Sequence, residues 1–251
     1  MSNNIKLSRA RKAKMDEYYT RYQDVEDELK HYSTFLKDKV IYCPCDINKS
    51  SFVKYLQNNK KEIGFKKLVY TSLSTDGDFR LQDNSFADVI ITNPPFSLFR
   101  DFIDWVGNKD CIILGQNNAI TYRNVFPKIK SGKLKIGYNT KFNTDVWFDS
   151  PTGEKRISNI CWFTTFDVNK NKPFTSTTLD HYEKYDNYDA IEVPKVKYIP
   201  KDYKDPMGVP ITFIDKWNPN EYELIGLNGK DYKALKLNNK NVYARLIIRK
   251  K

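Results

Sequence analysis

Histidine is almost missing from this chain, and cysteine and long apolar runs are scarce. Only His31 and His181 occur, and neither stands at metal-ligand spacing from another donor, so a histidine-built metal centre is excluded. Four cysteines, Cys43, Cys45, Cys111 and Cys161, are too few for a disulfide framework in 251 residues. Cys43-Pro44-Cys45 is half of a zinc site with no second close pair to complete it, and no metal is expected. Cys111 and Cys161 sit inside apolar runs and are expected to be small core residues. No apolar run approaches the ~20 residues of a membrane span. The opening MSNNIKLSRARKAKMDEYY lacks the apolar segment of a secretion signal. These absences lead to the expectation of a reduced, cytoplasmic protein with no membrane partner. Internal repeats, low-complexity tracts and clear linkers are missing as well.

The chain has the material for a sizeable core: 40% of residues are apolar and 14% aromatic, despite a mean hydropathy of -0.66. Its 251 residues suit one large domain, or one domain with a modest appendage. Lys and Arg number 42 against 31 Asp and Glu, a net charge of +11. That balance favours a polyanionic partner. An AT-rich genome, also suggested by the heavy use of Lys and Asn, explains part of the lysine without any partner.

From Ser8 to about Lys37 the spacing predicts helix, with Val25, Leu29, Tyr32 and Leu36 on one face. Short apolar runs then alternate with helical stretches. VIYC (Val40 to Cys43), LVYTSL (Leu68 to Leu73), DVIIT (Asp88 to Thr92) and CIILG (Cys111 to Gly115) read as buried strands. Between them, SSFVKYLQNNK has Ser50 or Ser51 as a helix cap and Phe52, Tyr55 and Leu56 on one face. Phe99, Phe102, Ile103 and Val106 stripe the helix after the third strand, and TYRNVFPKIKSG predicts another, with Tyr122, Val125, Phe126 and Ile129 on one side. Near-continuous apolar strands alternating with helices predict an α/β fold with a mainly parallel, doubly wound sheet. ICWFTTF (Ile160 to Phe166) is a further strand, and ARLIIRKK at the end is expected to be an edge strand. One domain over residues 1–251 is expected, with a helical segment over 1–37 packed on it and an elaborated C-terminal third.

Open α/β sheets bind ligands beyond the carboxyl ends of their strands. Asn93-Pro94-Pro95-Phe96 falls there, directly after VIIT. Asn93 offers an amide oxygen, Pro94 a carbonyl on a fixed φ, Pro95 stiffens the residue before it, and Phe96 supplies a flat face. Two acceptors and a ring form a grip on a planar group bearing NH2. Accepting both amino hydrogens draws the nitrogen lone pair out of conjugation and improves a poor nucleophile. An electrophilic methyl sulfonium carries its own leaving group, so positioning and hydrogen bonding suffice without a histidine base. The competing reading is a rigid strand-to-helix turn with Ser97 as cap and Phe96 in the core. Upstream, Asp78 can accept from an adenine amino group while Phe79 packs on the purine. CPCDINKSSF after the first strand offers Asp46 to a cofactor's amine or ribose, or alternatively as a cap for the helix near Ser50.

With these segments in place, the sequence resembles the adenine-specific DNA methyltransferases, and within them the EcoRI methylase-type family. KMDEYYTRYQDVEDELKHY, VIYCPCDINKSSFVKY, DVIITNPPFSLFRDFI, ILGQNNAITY, NICWFT, YDNYDAIEV and MGVPITFIDKWNP follow in that family's order, from about Lys14 to Leu227. The resemblance implies the Rossmann-like fold of S-adenosylmethionine-dependent methyltransferases, S-adenosylmethionine as methyl donor, and N6 of a flipped adenine in double-stranded DNA as acceptor. It carries Asn93, Pro94, Pro95 and Phe96 over as the catalytic motif. Cofactor contacts are implied for Tyr18, Tyr19, Thr20, Cys45, Asp46, Asp78 and Phe79, with Phe52 near the methionine end. Trp162 or Phe163 either walls the adenine pocket or belongs to the core. A restriction-modification setting is implied, with the presence of a cognate restriction endonuclease left open, and a monomer is expected because an asymmetric methylase needs no dimer.

The sequence departs from the general methyltransferase pattern in two places. The first strand runs into Cys-Pro-Cys-Asp instead of a glycine-rich turn, and no ribose-binding acid follows the second strand unless Asp76 serves. Unstacking an adenine costs a few kcal/mol, which phosphate contacts offset in part. The candidates are Arg9, Arg11, Lys12 and Lys14, and the run with Lys128, Lys130, Lys133 and Lys135; a solvated charged face is the plainer role for each. Target-recognition loops are expected within residues 133–251. Two other functions compete: methylation of a protein glutamine at N5 or of adenine in RNA, which present the same NH2 geometry, and nucleic-acid binding without catalysis on the same fold.

Overall fold

A computed structural model of the chain describes residues 19–72, 76–140, 142, 146–150, 153–168, 175–229 and 234–251. Tyr18, Arg9, Arg11, Lys12 and Lys14 lie outside those residues. Two compact units form: residues 1–125 with 132–169, and residues 126–131 with 170–251. Where one domain with an elaborated C-terminal third was expected, most of that third is a unit with its own sheet.

In the first unit, the helix expected from Ser8 to about Lys37 lies outside the described residues over 8–18, and Tyr19–Thr20 is a short strand, β1, instead. Helix α1 follows at Tyr22–Leu29, then a 3₁₀ turn at Lys30–Tyr32 and a helical turn at Ser33–Leu36. Val25, Leu29, Tyr32 and Leu36 are all fully buried, as their spacing on one face requires. Glu28 is buried with them. Its carboxylate accepts from the Tyr32 hydroxyl (2.6 Å) and from the amides of Tyr138 (2.7 Å) and Asn139 (2.6 Å), which fastens α1 to the chain far downstream.

The central elements are β2 (Val40–Cys43), α2 (Ser51–Asn58), β3 (Lys67–Tyr70), β4 (Val89–Thr92), α3 (Phe99–Val106) and β5 (Asp110–Gln116). Ser50 caps α2, its hydroxyl accepting from Val53 N at 3.2 Å. The helix expected around TYRNVFPKIKSG is shorter: a 3₁₀ turn spans Asn117–Thr121, and α4 covers Phe126–Lys130. Pro127 falls in its first turn, where a missing N–H costs nothing. Then come β6 (Lys135–Ile136), β7 (Val146–Ser150), β8 (Gly153–Ile157) and β9 (Ile160–Thr164).

Six strands order as β3-β2-β4-β5-β9-β6. The β2–β3, β2–β4 and β4–β5 pairs are parallel, and β9 runs antiparallel to both β5 and β6. The mainly parallel, doubly wound reading therefore holds. From β2 the chain steps outward to β3 and returns to β4 on the other side of β2. The topological switch point, where such sheets take ligands, lies between β2 and β4. A separate antiparallel sheet, β1-β7-β8, pairs Thr20 with Phe148 and Trp147 with Arg156.

The second unit holds β10 (Ile191–Glu192), β11 (Met207–Pro210), β12 (Tyr222–Leu227), the hairpin β13 (Lys236–Leu237) and β14 (Lys240–Asn241), and β15 (Arg245–Lys250). Its sheet runs β10-β11-β15-β12. ARLIIRKK is thus an inner strand and not an edge. Leu246, Ile247 and Ile248 are all fully buried, and three consecutive buried apolar residues need cover on both faces. Among the described residues no helix is long and apolar enough to cross a membrane, and no group of three or more His, Cys, Asp or Glu could hold a metal ion.

Candidate active site

The loops leaving β2 and β4 meet across the switch point. β2 ends in Cys43, and Pro44 and Cys45 lead to Asp46, whose amide donates to the Thr71 carbonyl at 2.9 Å. β4 ends in Thr92, whose hydroxyl donates to Asp46 Oδ2 at 2.5 Å. Asp46 is therefore not the cap of α2; Ser50 takes that role. Burial pushes the Asp46 carboxyl up to about 6, although hydrogen bonds from Thr92 and Ser50 pull the other way. Among the described residues no basic side chain forms an ion pair with it.

Asn93 follows Thr92 directly, with its side-chain oxygen buried. Pro94 is buried, Pro95 and Phe96 are half-buried, and a 3₁₀ turn at Phe96–Leu98 leads into α3. Leu98 N donates to the Pro95 carbonyl at 2.9 Å, and no side chain, Ser97 included, caps this turn or the helix. Phe99, Phe102, Ile103 and Val106 are buried as core. Phe96 packs instead against a cluster containing Phe52, Trp162 and Phe148, and meets the Phe148 ring edge-on at 6.4 Å. Phe52 and Trp162 touch at 5.7 Å between ring centres. Phe163 alternates to the other face of β9, against Phe99, and is core.

Phe148 pairs with Thr20 on β1, so the β1-β7-β8 sheet brings Thr20 into the neighbourhood of Phe96. Thr20 is buried, and its Oγ1 has no hydrogen-bond partner among the described residues. Tyr19 pairs through its backbone with Asp149. Cys45, in the loop after β2, is not in a disulfide and is only partly buried.

Asp78 caps a 3₁₀ turn at Phe79–Leu81 and is gripped by Arg80. Arg80 Nε lies 3.0 Å from both carboxylate oxygens, Nη2 also reaches Oδ2, and Nη1 bridges on to Asp101 of α3 at 2.9 Å. Burial would raise the Asp78 carboxyl, but the hydrogen bonds and charge of Arg80 outweigh it and hold it below the usual value. Phe79 is buried edge-on against Phe102 and Trp105, at 5.1 and 5.6 Å. Asp76 accepts from Ser72 N at 3.0 Å.

The basic run divides between the units. Lys128 and Lys130 sit on α4 in the second, where Lys130 Nζ donates to the Ile225 carbonyl at 2.5 Å. Lys133 and Lys135 belong to the first, where Lys135 donates to the Thr165 carbonyl and pairs with Asp167. Three residues that the sequence reading did not single out stand beside these elements: Thr92, Phe148 and Asn117. Asn117 opens the 3₁₀ turn after β5; its buried Oδ1 has no partner among the described residues, while its Nδ2 donates to Asn159 Oδ1 at 3.3 Å. Its only signal was the run ILGQNNAITY.

Residues 6–85 and 70–251 match the family described as adenine-specific methyltransferase EcoRI. The Type II methyltransferase M.EcoRI of Escherichia coli is 35% identical, across 100% of this chain and 98% of the relative. Two further Type II methyltransferases, M.MgeORF184P of Mycoplasma genitalium and M.MpnI of Mycoplasma pneumoniae, are each 32% identical. Those alignments cover 96% and 95% of this chain, and 92% and 91% of the relatives.

Proposed function

This chain belongs to the adenine-specific methyltransferase EcoRI family, and from that premise we propose that it methylates N6 of an adenine swung out of a DNA duplex, gripping the amino group between Asn93 and the Pro94 carbonyl. It is an S-adenosylmethionine-dependent DNA adenine methyltransferase. The observation that carries the residue assignment is position. The Asn-Pro-Pro-Phe turn starts one residue past β4, at the switch point, and its strand is hydrogen-bonded across that point to Asp46.

The residues flanking the switch point fit the cofactor. Among the described residues Asp46 is a buried carboxylate with hydroxyl partners and no cation, suited to an amine or a ribose, and Thr20 offers a buried hydroxyl with no partner; Phe52 and Trp162 give an apolar wall. S-adenosylmethionine supplies an electrophilic methyl group when bound. The chain's own part is orientation. Asn93 Oδ1 and the Pro94 carbonyl accept the two amino hydrogens, which frees the nitrogen lone pair from the ring, and Phe96 stacks on the purine. The apolar cluster around Phe96 keeps water from the methyl donor. Asp78, held ionised by Arg80, is the acceptor for the cofactor's own adenine amine. One chain carries every residue of this site, so we read the working unit as a monomer. The Type II designation of the relatives makes a cognate restriction endonuclease the partner to seek beyond DNA.

Transfer of a tritiated methyl group to DNA, RNA and protein in parallel tests the acceptor, with label expected in DNA as N6-methyladenine. Asn93→Ala is expected to lower turnover about a thousandfold while DNA affinity and melting temperature stay near wild type. Label in protein alone, or unchanged turnover in this variant, would refute the assignment.

A further inference from the structure

Buried side-chain polar atoms without partners are rare in folded proteins, and each calls for a cause. Asn117 supplies one at a telling place. It is 5% exposed, its Oδ1 has no partner among the described residues, and it stands just past the carboxyl end of β5, the neighbour of β4. Thr92 at the end of β4 pairs with Ile113, so β5 continues beyond β4, and Asn117 lies four positions further along, about 13 Å at ~3.3 Å per residue. Contacts tie this overhang to the catalytic turn. Gly115 is pressed so closely by Phe99 that an added Cβ would come within 2.4 Å of that ring, and Phe99 is three residues from Phe96. Beyond Asn117, Arg100 of α3 lies 4.2 Å over the Tyr122 ring, and Asn124 donates to the Arg100 carbonyl at 2.8 Å. The same segment is fixed on its other side by Asn159, whose carbonyl accepts from Asn117 N at 2.7 Å.

Sheet order decides which ligand meets Asn117. Asp46 follows β2, on one side of β4; Asn117 follows β5, on the other side, two strand spacings or about 10 Å from β2. Asn117 therefore lies on the β5 side of the catalytic turn, away from Asp46. Resting on the reading that the acceptor is a flipped adenine, we propose that Asn117 is a base-binding residue that donates a hydrogen bond to a ring nitrogen of that adenine. The polarity follows from the base. Its only donors are the two amino hydrogens, which Asn93 and Pro94 take, and every other polar edge atom of adenine is a ring-nitrogen acceptor. Turning over the amides of Asn117 and exposed Asn159 together keeps their mutual hydrogen bond and presents an Asn117 N–H in place of the oxygen. The Ser158 hydroxyl, which accepts from Asn159 Nδ2 at 3.3 Å, can donate to the oxygen that replaces it. Asn117 thereby distinguishes adenine from a base lacking an acceptor at that position.

The test uses the full-length chain and duplexes carrying its recognised site, read from methylated DNA, with the target as adenine or its 1-, 3- or 7-deaza analogue. Asn117→Leu is expected to lower kcat/KM on adenine about tenfold to a hundredfold, with S-adenosylmethionine affinity and melting temperature unchanged or raised. One deaza analogue should cost the wild type the same factor and cost Asn117→Leu nothing more. Asn117→Ser, smaller and still polar, repeats the cycle if the leucine variant folds poorly. Penalties that multiply for all three analogues, or a kcat/KM unchanged in both variants, would overturn the proposal. Absence of adenine methylation by the wild type would instead overturn the reading of the activity itself.

Discussion

Asp46 in the first unit and Glu192 in the second are both buried carboxylates, yet their surroundings differ. Glu192 accepts from Arg245 Nη2 at 2.7 Å and Nε at 3.0 Å, and from the Tyr185 hydroxyl. Charge and hydrogen-bonding capacity are met within the fold. Asp46 has a hydroxyl at 2.5 Å and no cation among the described residues, and burial raises its carboxyl to about 6. A buried ion pair that is complete within the chain belongs to the scaffold. A buried acid left with neutral partners is stabilised as an anion when a cationic or amine-bearing ligand arrives, which is the role proposed for Asp46.

Two substitutions should separate the roles most widely. Asp46→Asn is expected to weaken S-adenosylmethionine binding about a hundredfold in calorimetry, with a melting temperature unchanged or higher because a buried charge is gone. Arg245→Met should do the reverse. It strands Glu192 in the core and costs about 3 kcal/mol of stability, lowering the urea midpoint while cofactor affinity at 25 °C stays near wild type. Loss of cofactor binding in a folded Arg245→Met protein, or loss of stability in Asp46→Asn, would erase the distinction between the two acids.

How much of this was legible in the sequence depends on the range of the interaction. β2, β4 and β5 are runs of apolar residues ended by proline or polar turns, so their buried, parallel character and the position of Asn93 to Phe96 could be read locally. Ser50 and the stripe Phe99, Phe102, Ile103 and Val106 were local as well. The rest is made by distant partners. Tyr19 and Thr20 continue a helical pattern and leave it because they pair with β7, a register that Arg21 and Glu154 reinforce across 133 positions. Thr92 read as the last residue of a strand and serves as the donor to Asp46, 46 positions away. Phe79 read as a free purine-stacking ring, and α3 engages it from the side. The basic ending of ARLIIRKK masked the fact that its three central residues need cover on both faces.

The contrast also has a pH signature, smaller than either substitution. The folded value of Asp46 is raised above that of the unfolded chain, so its ionisation opposes folding. The contribution of Asp46 to the stability of the cofactor-free protein, read as the difference from Asp46→Asn, should be greatest below about pH 4 and be lost as pH rises through about 6. Cofactor affinity should run the other way, falling up to about tenfold per pH unit below 6 as the carboxylate is protonated. Urea titrations with and without S-adenosylmethionine between about pH 4.5 and 7.5 would show both slopes, and Asp46→Asn should lose both while Arg245→Met keeps them.

The smallest expected effect concerns Asp78, an acid whose cation is built in. Arg80 occupies both of its oxygens and reaches Asp101, but the pair is about a third exposed on the arginine side and solvent screens it. Arg80→Gln should leave Asp78 ionised and less well oriented, weakening cofactor affinity only a few-fold, about 1 kcal/mol or less, with the Asp46 pH slope intact. A hundredfold loss would place Asp78 with Asp46 as an acid on which binding depends. Tighter binding would mean that Arg80 competes with the cofactor's amine for the same oxygens, and Asp78 would then be closer in kind to Glu192 than to Asp46.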